Sequence, residues 1–219
     1  MTSPADGEPL ADLPGARSVL GRETRYRGMK WDVVTDTVQL DAETVVQRDV
    51  VVHPGAVGVV ALDEAGQVLL LRQYRHPVSG ELWELPAGLL DVPGEDALEC
   101  ARRELFEEAH LRAGRWDVLV DVFSSPGMSG EAYRLYVARD LEPVPEAERH
   151  EAVHEEWQMP LRWVPLERAV EAVLAGRIHN AMAVVGLLAA LRAREGSWAV
   201  LRPGRAPWPE RPDPHDRPG

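Results

Sequence analysis

One short segment of the sequence concentrates side chains that could do chemistry. Glu107 and Glu108 follow Glu104 by three and four residues, so on a helix the three carboxylates share one face. Carboxylates this close repel one another unless a cation lies between them. Hard oxygen ligands suit Mg²⁺ or Mn²⁺, whose open coordination positions go to water and substrate phosphates. The spacing indicates a divalent metal site for phosphate chemistry, although a solvated acidic helix face has the same pattern.

The elements around this segment must position the carboxylates. Leu98, Ala101 and Leu105 recur at spacings of three and four, which predicts a helix from Ala97 to Ala109. The strand patterns cover 26–40, 44–53, 56–62, 67–75, 81–87, 116–123, 132–141 and 155–164, and two more helices cover 166–175 and 180–194. A four-residue turn between 56–62 and 67–75 predicts a hairpin. Strands in runs with few βαβ alternations indicate an α+β fold with a mixed sheet.

Composition excludes several classes of protein. The 219 residues carry 24 Lys plus Arg against 36 Asp plus Glu, and the net charge of -12 argues against a nucleic-acid partner. The longest apolar run, 181–191, is too short to span a membrane. A single cysteine, Cys100, excludes an internal disulfide and a multi-thiolate metal site. We therefore expect a soluble, cytoplasmic protein with no membrane partner.

The two ends differ in composition from the middle of the chain. Residues 1–18 are rich in Pro, Gly, Ala and Asp without periodicity, and we expect a flexible leader. Residues 202–219 hold six of the 18 prolines and few aliphatic side chains, so we expect disorder over 196–219. Between these ends lie an N-terminal β region, 19–54, and a main domain, 55–195.

The carboxylate segment resembles the signature of the Nudix hydrolases. That signature is Gly, five residues, Glu, seven residues, then Arg-Glu-apolar-x-Glu-Glu-x-Gly-apolar. Here Glu95 is followed after seven residues by Arg-Glu-Leu-Phe-Glu-Glu, 103–108. Two positions differ: six residues separate Gly88 from Glu95, and His110 replaces the last glycine, at a position that favours positive φ.

The resemblance implies an α/β/α sandwich with a mixed sheet over 55–195, and it implies roles for residues of the signature. The implied metal ligands are Glu104, Glu108, Glu107 and the Ala87 carbonyl, with Glu108 also counted among the catalytic residues. Gly88, Glu95 and Arg103 are structural, since Glu95 and Arg103 would pair to fix the loop against the helix. The implied cofactor is Mg²⁺, with Mn²⁺ as an alternative.

Further segments resemble the ADP-ribose pyrophosphatase branch of this family. They are Arg-Gln-Tyr-Arg at 72–75, Glu-Leu-Pro-Ala-Gly at 84–88, and Pro126, which lies 16 residues after His110. The resemblance covers about residues 20–195. It implies hydrolysis of ADP-ribose to AMP and ribose 5-phosphate by a homodimer that shares its N-terminal antiparallel sheet.

Candidate substrate and proton-transfer residues come from other parts of the chain. Arg75 ends the strand that leads toward the signature, and an arginine can clamp a phosphate bidentately. The resemblance implies an adenine site on the N-terminal sheet, where Met29, Trp31 and Arg48 are candidates, and a general base at Glu155 or Glu156. Glu131 is a weaker candidate for metal or substrate contact.

Two alternatives stay open. The substrate could be another nucleoside diphosphate sugar such as GDP-mannose, because few and variable loop residues hold the sugar end. A catalytically silent nucleotide sensor is the other, and the complete set of signature glutamates argues against it. No P-loop or Gly-x-Ser-x-Gly motif is present.

Overall fold

The computed structural model describes residues 10–12, 17–149 and 159–211. Within these ranges the chain forms eleven strands and three α-helices. The strands are β1 (Ser18–Arg27), β2 (Asp32–Gln39), β3 (Val45–Val52), β4 (Ala56–Ala61), β5 (Gln67–Arg75), β6 (Gly80–Glu84), β7 (Ala87–Leu89), β8 (Leu111–Phe123), β9 (Ala132–Pro143), β10 (Leu161–Pro165) and β11 (Arg202–Pro203). The helices are α1 (Ala97–Ala109), α2 (Leu166–Leu174) and α3 (Ala181–Glu195). No described helix is long and apolar enough to cross a membrane.

The strands form one mixed sheet and two antiparallel sheets. The mixed sheet has the order β11-β8-β9-β4-β7, in which β4 and β9 are parallel. The second sheet has the order β10-β5-β6, and the N-terminal sheet has the order β1-β2-β3. Helix α1 packs on one side of the mixed sheet and α3 on the other, with α2 beside α3. The predicted α+β class with a mixed sheet and a preceding antiparallel sheet is confirmed.

Strand β4 lies at the centre of the sandwich and is buried on both faces. Val57 and Val59 pack with the α1 core, whereas Val60 packs with the α2 and α3 core. Close packing of α3 requires two glycines. A Cβ on Gly58 would lie 2.3 Å from the Met182 sulfur, and one on Gly186 would lie 2.7 Å from Leu85.

Helix α1 has the bounds that its periodicity predicts, and its two ends explain them. The Asp96 side chain accepts hydrogen bonds from the amides of Leu98 and Glu99, which caps the first turn. The helix ends at His110, which takes the left-handed conformation at φ 52° and donates its amide to Leu105 and Phe106. The histidine therefore adopts the conformation that a glycine favours.

One predicted strand pairing and one predicted strand are wrong. The turn at 63–66 does join β4 to β5, but these strands pair only at Leu62 and Val68 and then enter different sheets. Strand β4 and the first half of β5 are apolar on both faces, so alternation does not reveal their partners. The single strand predicted over 26–40 is two strands, because the chain turns at 28–31, where a Cβ on Gly28 would lie 2.3 Å from the Trp31 carbonyl oxygen.

The predicted disorder of 196–211 is also wrong. Strand β11 pairs with β8, and Arg134 donates hydrogen bonds to the carbonyls of Ala206 and Pro207. The Trp208 ring lies 4.7 Å from the Arg134 guanidinium. The segment is held by backbone acceptors and one aromatic ring, which a count of prolines and aliphatic residues does not register. Residues 212–219 lie outside the described part of the chain.

Candidate active site

The loop that precedes α1 lies directly against the helix carboxylates. The Ala87 amide donates a hydrogen bond to the Glu108 carboxylate at 2.9 Å. At the next residue, a Cβ on Gly88 would lie 1.9 Å from a Glu104 oxygen. Only glycine permits this approach, so the loop backbone and both carboxylates share one small space.

Arg103 is the centre of the ion pairs on this helix face. Its guanidinium donates to both oxygens of Glu95, at 2.9 and 3.0 Å, and holds the pKa of that carboxyl below its usual range. The third guanidinium nitrogen contacts Glu104 at 2.6 Å and Glu107 at 3.2 Å. The pair with Glu95 ties the long loop to the helix.

Glu104 has the most perturbed carboxyl of the group. Its side chain is 12% exposed, and burial raises its pKa to about 7 against the opposing effect of Arg103, with Glu107 and Glu95 adding to the rise. A buried carboxyl group among like charges ionises readily only when a cation is close. The Glu104 environment therefore favours cation binding.

The described residues hold no preformed group of three His, Cys, Asp or Glu side chains arranged around a metal ion. Arg103 instead lies between Glu104 and Glu107. The donors themselves fit a hard divalent cation, since they are carboxylates beside a loop whose backbone approaches within contact distance. A bound ion would take over contacts that Arg103 makes here.

Arg75 lies on the same face of its sheet as Glu84, which is buried. The guanidinium donates to both Glu84 oxygens, at 2.9 and 2.7 Å. Residues opposite one another in an antiparallel pair share a face, and Glu84 lies opposite Leu71. Leu71 and Arg75 are four residues apart on β5, so their side chains also point to the same face. Arg75 is therefore a positioned side chain rather than a loose surface arginine.

The N-terminal sheet reaches the loop before α1 through its 28–31 turn. Met29 and Trp31 line a cavity of about 1020 Å³ together with the loop residues 90–96. The Trp31 ring stacks on His53 with centroids 5.1 Å apart, and Lys30 contacts Asp91 at 3.5 Å. The structure thus brings two of the three predicted adenine-side residues to one cavity.

Other predicted site residues lie elsewhere. Arg48 is exposed on β3 and does not line this cavity. Glu131 accepts a hydrogen bond from Ser124 and lies 3.5 Å from His53, whose pKa is lowered by burial. Glu155 and Glu156 lie outside the described residues.

Sequence reasoning missed two residues of the large cavity. Trp208 and Arg211 come from the C-terminal segment and complete its wall. Arg211 also donates to the Pro54 carbonyl at 3.0 Å, which holds the segment at the junction of β3 and β4. The signal available in the sequence was an aromatic and a basic residue within a proline-rich stretch.

Comparison with known proteins agrees with this geometry. The NUDIX domain family model matches residues 52–184, so the chain belongs to the Nudix family. It is 42% identical to an ADP-ribose pyrophosphatase of Mycobacterium tuberculosis over 88% of this chain and 91% of that protein. A GDP-mannose pyrophosphatase of Cronobacter sakazakii is 29% identical over 70% of this chain and 83% of that protein. The crystal structure of an ADP compounds hydrolase shares the fold, with a TM-score of 0.69, 22% identity, and coverage of 87% of this chain and 100% of that one.

These findings confirm the predicted family. Nudix hydrolases generally use divalent metal ions, which is consistent with the carboxylates on α1.

Proposed function

We propose that this protein is a Mg²⁺-dependent pyrophosphohydrolase that cleaves ADP-ribose to AMP and ribose 5-phosphate. The observation that carries the proposal is the contact of the Glu108 and Glu104 carboxylates with the loop at Ala87 and Gly88. This contact brings two of the proposed ligands, Glu104 and Glu108, to the loop that would supply the Ala87 carbonyl. The similarity to the mycobacterial ADP-ribose pyrophosphatase over nearly the whole chain supports the choice of substrate.

In this proposal the ion is held by Glu104, Glu107, Glu108 and the Ala87 carbonyl. When bound, Mg²⁺ offsets the charge of the pyrophosphate and acidifies a coordinated water. The pair of Arg103 with Glu95 fixes the loop against the helix. Glu107, which now contacts Arg103, would be one of the residues that hold the ion.

Two further roles complete the proposed chemistry. Arg75, held in place by Glu84, presents its guanidinium to a substrate phosphate. Glu155 or Glu156 accepts the proton of the attacking water, and Glu131 is the next candidate if neither does. The leaving group departs in line with the attack.

The adenine end of the substrate would bind in the cavity of Met29 and Trp31, where an indole offers a flat stacking surface. Arg48 lies outside the cavity that one chain forms, so its contribution requires a second subunit. Tyr26 and Val45, 64% and 50% exposed on the N-terminal sheet, supply apolar surface for such a homodimer. The free, buried Cys100 is consistent with the cytoplasm as the proposed location.

A second substrate deserves a direct comparison because the GDP-mannose pyrophosphatase is also similar to this chain. The same carboxylates would serve either substrate. The two substrates differ in their base, and in this proposal the base binds in the cavity of Met29 and Trp31. The silent sensor is disfavoured because every signature glutamate is present.

The test is the ratio kcat/KM for ADP-ribose, GDP-mannose and UDP-glucose with Mg²⁺. We expect ADP-ribose to be preferred by at least about tenfold, as one well-placed base contact provides. A preference for GDP-mannose would contradict ADP-ribose as the substrate but would leave the proposed class of reaction unchanged. If none of the three substrates is hydrolysed, the proposal of an enzyme is wrong and the alternative of a catalytically silent nucleotide sensor is favoured.

A further inference from the structure

A second cavity lies on the opposite face of the β10-β5-β6 sheet from the Arg75–Glu84 pair. It measures about 600 Å³ and lies between that sheet and α2. Leu70, Ala169 and Ile178 form its buried floor and belong to the core of α2 and α3. Neighbouring residues of a strand point to opposite faces, so Leu70 faces this cavity while Leu69 packs with the α1 core.

Three arginines from three different elements converge on this cavity. Arg162 lies opposite Leu70 in the pairing of β10 with β5, and therefore on the same face. Arg168 comes from the first turns of α2, and Arg177 from the connection between α2 and α3. Three consecutive elements of the chain thus each contribute an arginine to the lining of one cavity.

The charge of this cavity is opposite to the charge of the protein. Its lining contains three arginines and no Asp or Glu, in a chain whose net charge is -12. Arg168 pairs with Glu171 at 3.3 Å on the exposed side of α2. In the part of the chain that the structure describes, Arg162 and Arg177 form no ion pair. The guanidinium groups of Arg162 and Arg177 therefore attract an anion and suit the bidentate recognition of phosphate.

An indole gives the cavity a second chemical character. Trp83 lines it and lies opposite Arg72, on the face of Leu70, and the Arg72 guanidinium is 5.6 Å from the Trp83 ring centroid. A flat aromatic wall binds nucleobases by stacking. The volume exceeds what a phosphate alone requires and falls within the usual range for small-molecule sites.

We propose that this cavity is a second nucleotide site, which binds a nucleoside monophosphate apart from the carboxylates of α1. Arg162 and Arg177 hold the phosphate, Arg168 adds charge at the rim, and an indole stacks on the base. The site does not depend on the proposed hydrolysis, because its residues lie on the other face of the sheet from Arg75 and Glu84.

The test is isothermal titration of the full chain with AMP in EDTA, where the carboxylates of α1 hold no metal. Wild type should bind AMP, and the double variant Arg162→Ala and Arg177→Ala should bind it at least about tenfold more weakly, as loss of charged hydrogen bonds predicts. Arg192→Ala is the matched control, since Arg192 is an exposed arginine of α3 paired with Glu195. This control and Glu108→Gln should both bind AMP as wild type does.

Adenosine and inorganic phosphate are the second and third probes. Each should bind more weakly than AMP, because adenosine lacks the phosphate and inorganic phosphate lacks the nucleoside. Equal binding of AMP by wild type and the double variant would overturn the site. Phosphate that binds as tightly as AMP would overturn recognition of the nucleoside. If circular dichroism shows that the double variant is unfolded, the exposed single variant Arg177→Gln replaces it, with the same expected direction.

Discussion

Helix α1 and the N-terminal sheet contribute to the proposed active site in opposite ways. Helix α1 buries Leu98, Ala101 and Leu105 in the core of its own chain and leaves its carboxylates facing the loop. The N-terminal sheet buries only a short stretch of its central strand, Val34 to Asp36, and Asp36 is held there by two hydrogen bonds from Arg22. The helix is fixed by apolar packing, and the sheet is fixed by its ladder and by polar side chains.

This difference separates the site into two parts. The proposed metal ligands are positioned within one chain, so they depend on one folded core. The N-terminal sheet leaves Tyr26 and Val45 exposed, and the proposed homodimer would cover them. We infer that chemistry depends on the helix and that substrate recognition depends on assembly.

The largest effect is expected at α1. Glu108→Gln keeps the size of the side chain and its contact with the Ala87 amide but removes a negative ligand. We expect kcat for ADP-ribose to fall by at least about a hundredfold, with an unchanged circular dichroism spectrum. Glu99→Gln is the control on the same helix, since Glu99 pairs with Arg102 away from the loop. Equal loss in both variants would contradict the special role of Glu108.

The general base should give the next largest effect. Glu155→Gln and Glu156→Gln, made singly, should show one large loss of kcat, about a hundredfold, and one small loss. For the variant with the large loss of kcat, the plot of kcat/KM against pH should lose its acidic limb. Two small losses would move the base elsewhere, and Glu131→Gln would then be measured.

Trp31 tests the recognition part of the site. Trp31→Ala removes the indole that lines the cavity and stacks on His53. We expect KM for ADP-ribose to rise by about tenfold while kcat changes little, because stacking is worth about 1–3 kcal/mol per base. Trp198→Ala, outside this cavity, is the control. A fall in kcat without a change in KM would contradict adenine binding at this position.

Assembly is tested on the exposed face of the N-terminal sheet. Light scattering should show a dimer for wild type, and the double variant Tyr26→Glu and Val45→Glu should be monomeric, because charges on an interface core are costly. Its KM should rise as in Trp31→Ala. A monomeric wild type with full activity would show that the sheet needs no partner.

The smallest effect is expected in the C-terminal segment 196–211, which packs near both α1 and the N-terminal sheet. Trp208→Ala removes a ring that contacts Arg134 and Arg211. We expect the free energy of unfolding to fall by about 1–2 kcal/mol in urea titration. Pro209→Ala, next to it and exposed, should have little effect. Equal stability of Trp208→Ala and wild type would mean that the Trp208 ring adds nothing to the stability of the fold.

Sequence patterns predicted the site best where one helix carries it. The bounds of α1 follow from apolar periodicity with Asp96 as its cap, and the spacing of the glutamates places them on one face. The partners of β4 did not follow, because a strand buried on both faces has no alternation to read. The packing of 196–211 did not follow either, since it rests on Arg134, distant in sequence, and on main-chain carbonyls.

The most direct test of the account is hydrolysis of ADP-ribose by the metal-depleted full chain, before and after Mg²⁺ is added, with products separated by chromatography. We expect no turnover in EDTA, and after Mg²⁺ addition equal amounts of AMP and ribose 5-phosphate. Glu108→Gln should stay nearly inactive at the same Mg²⁺ concentration. Full turnover in EDTA, or a Glu108→Gln variant as active as wild type, would contradict a metal site on α1.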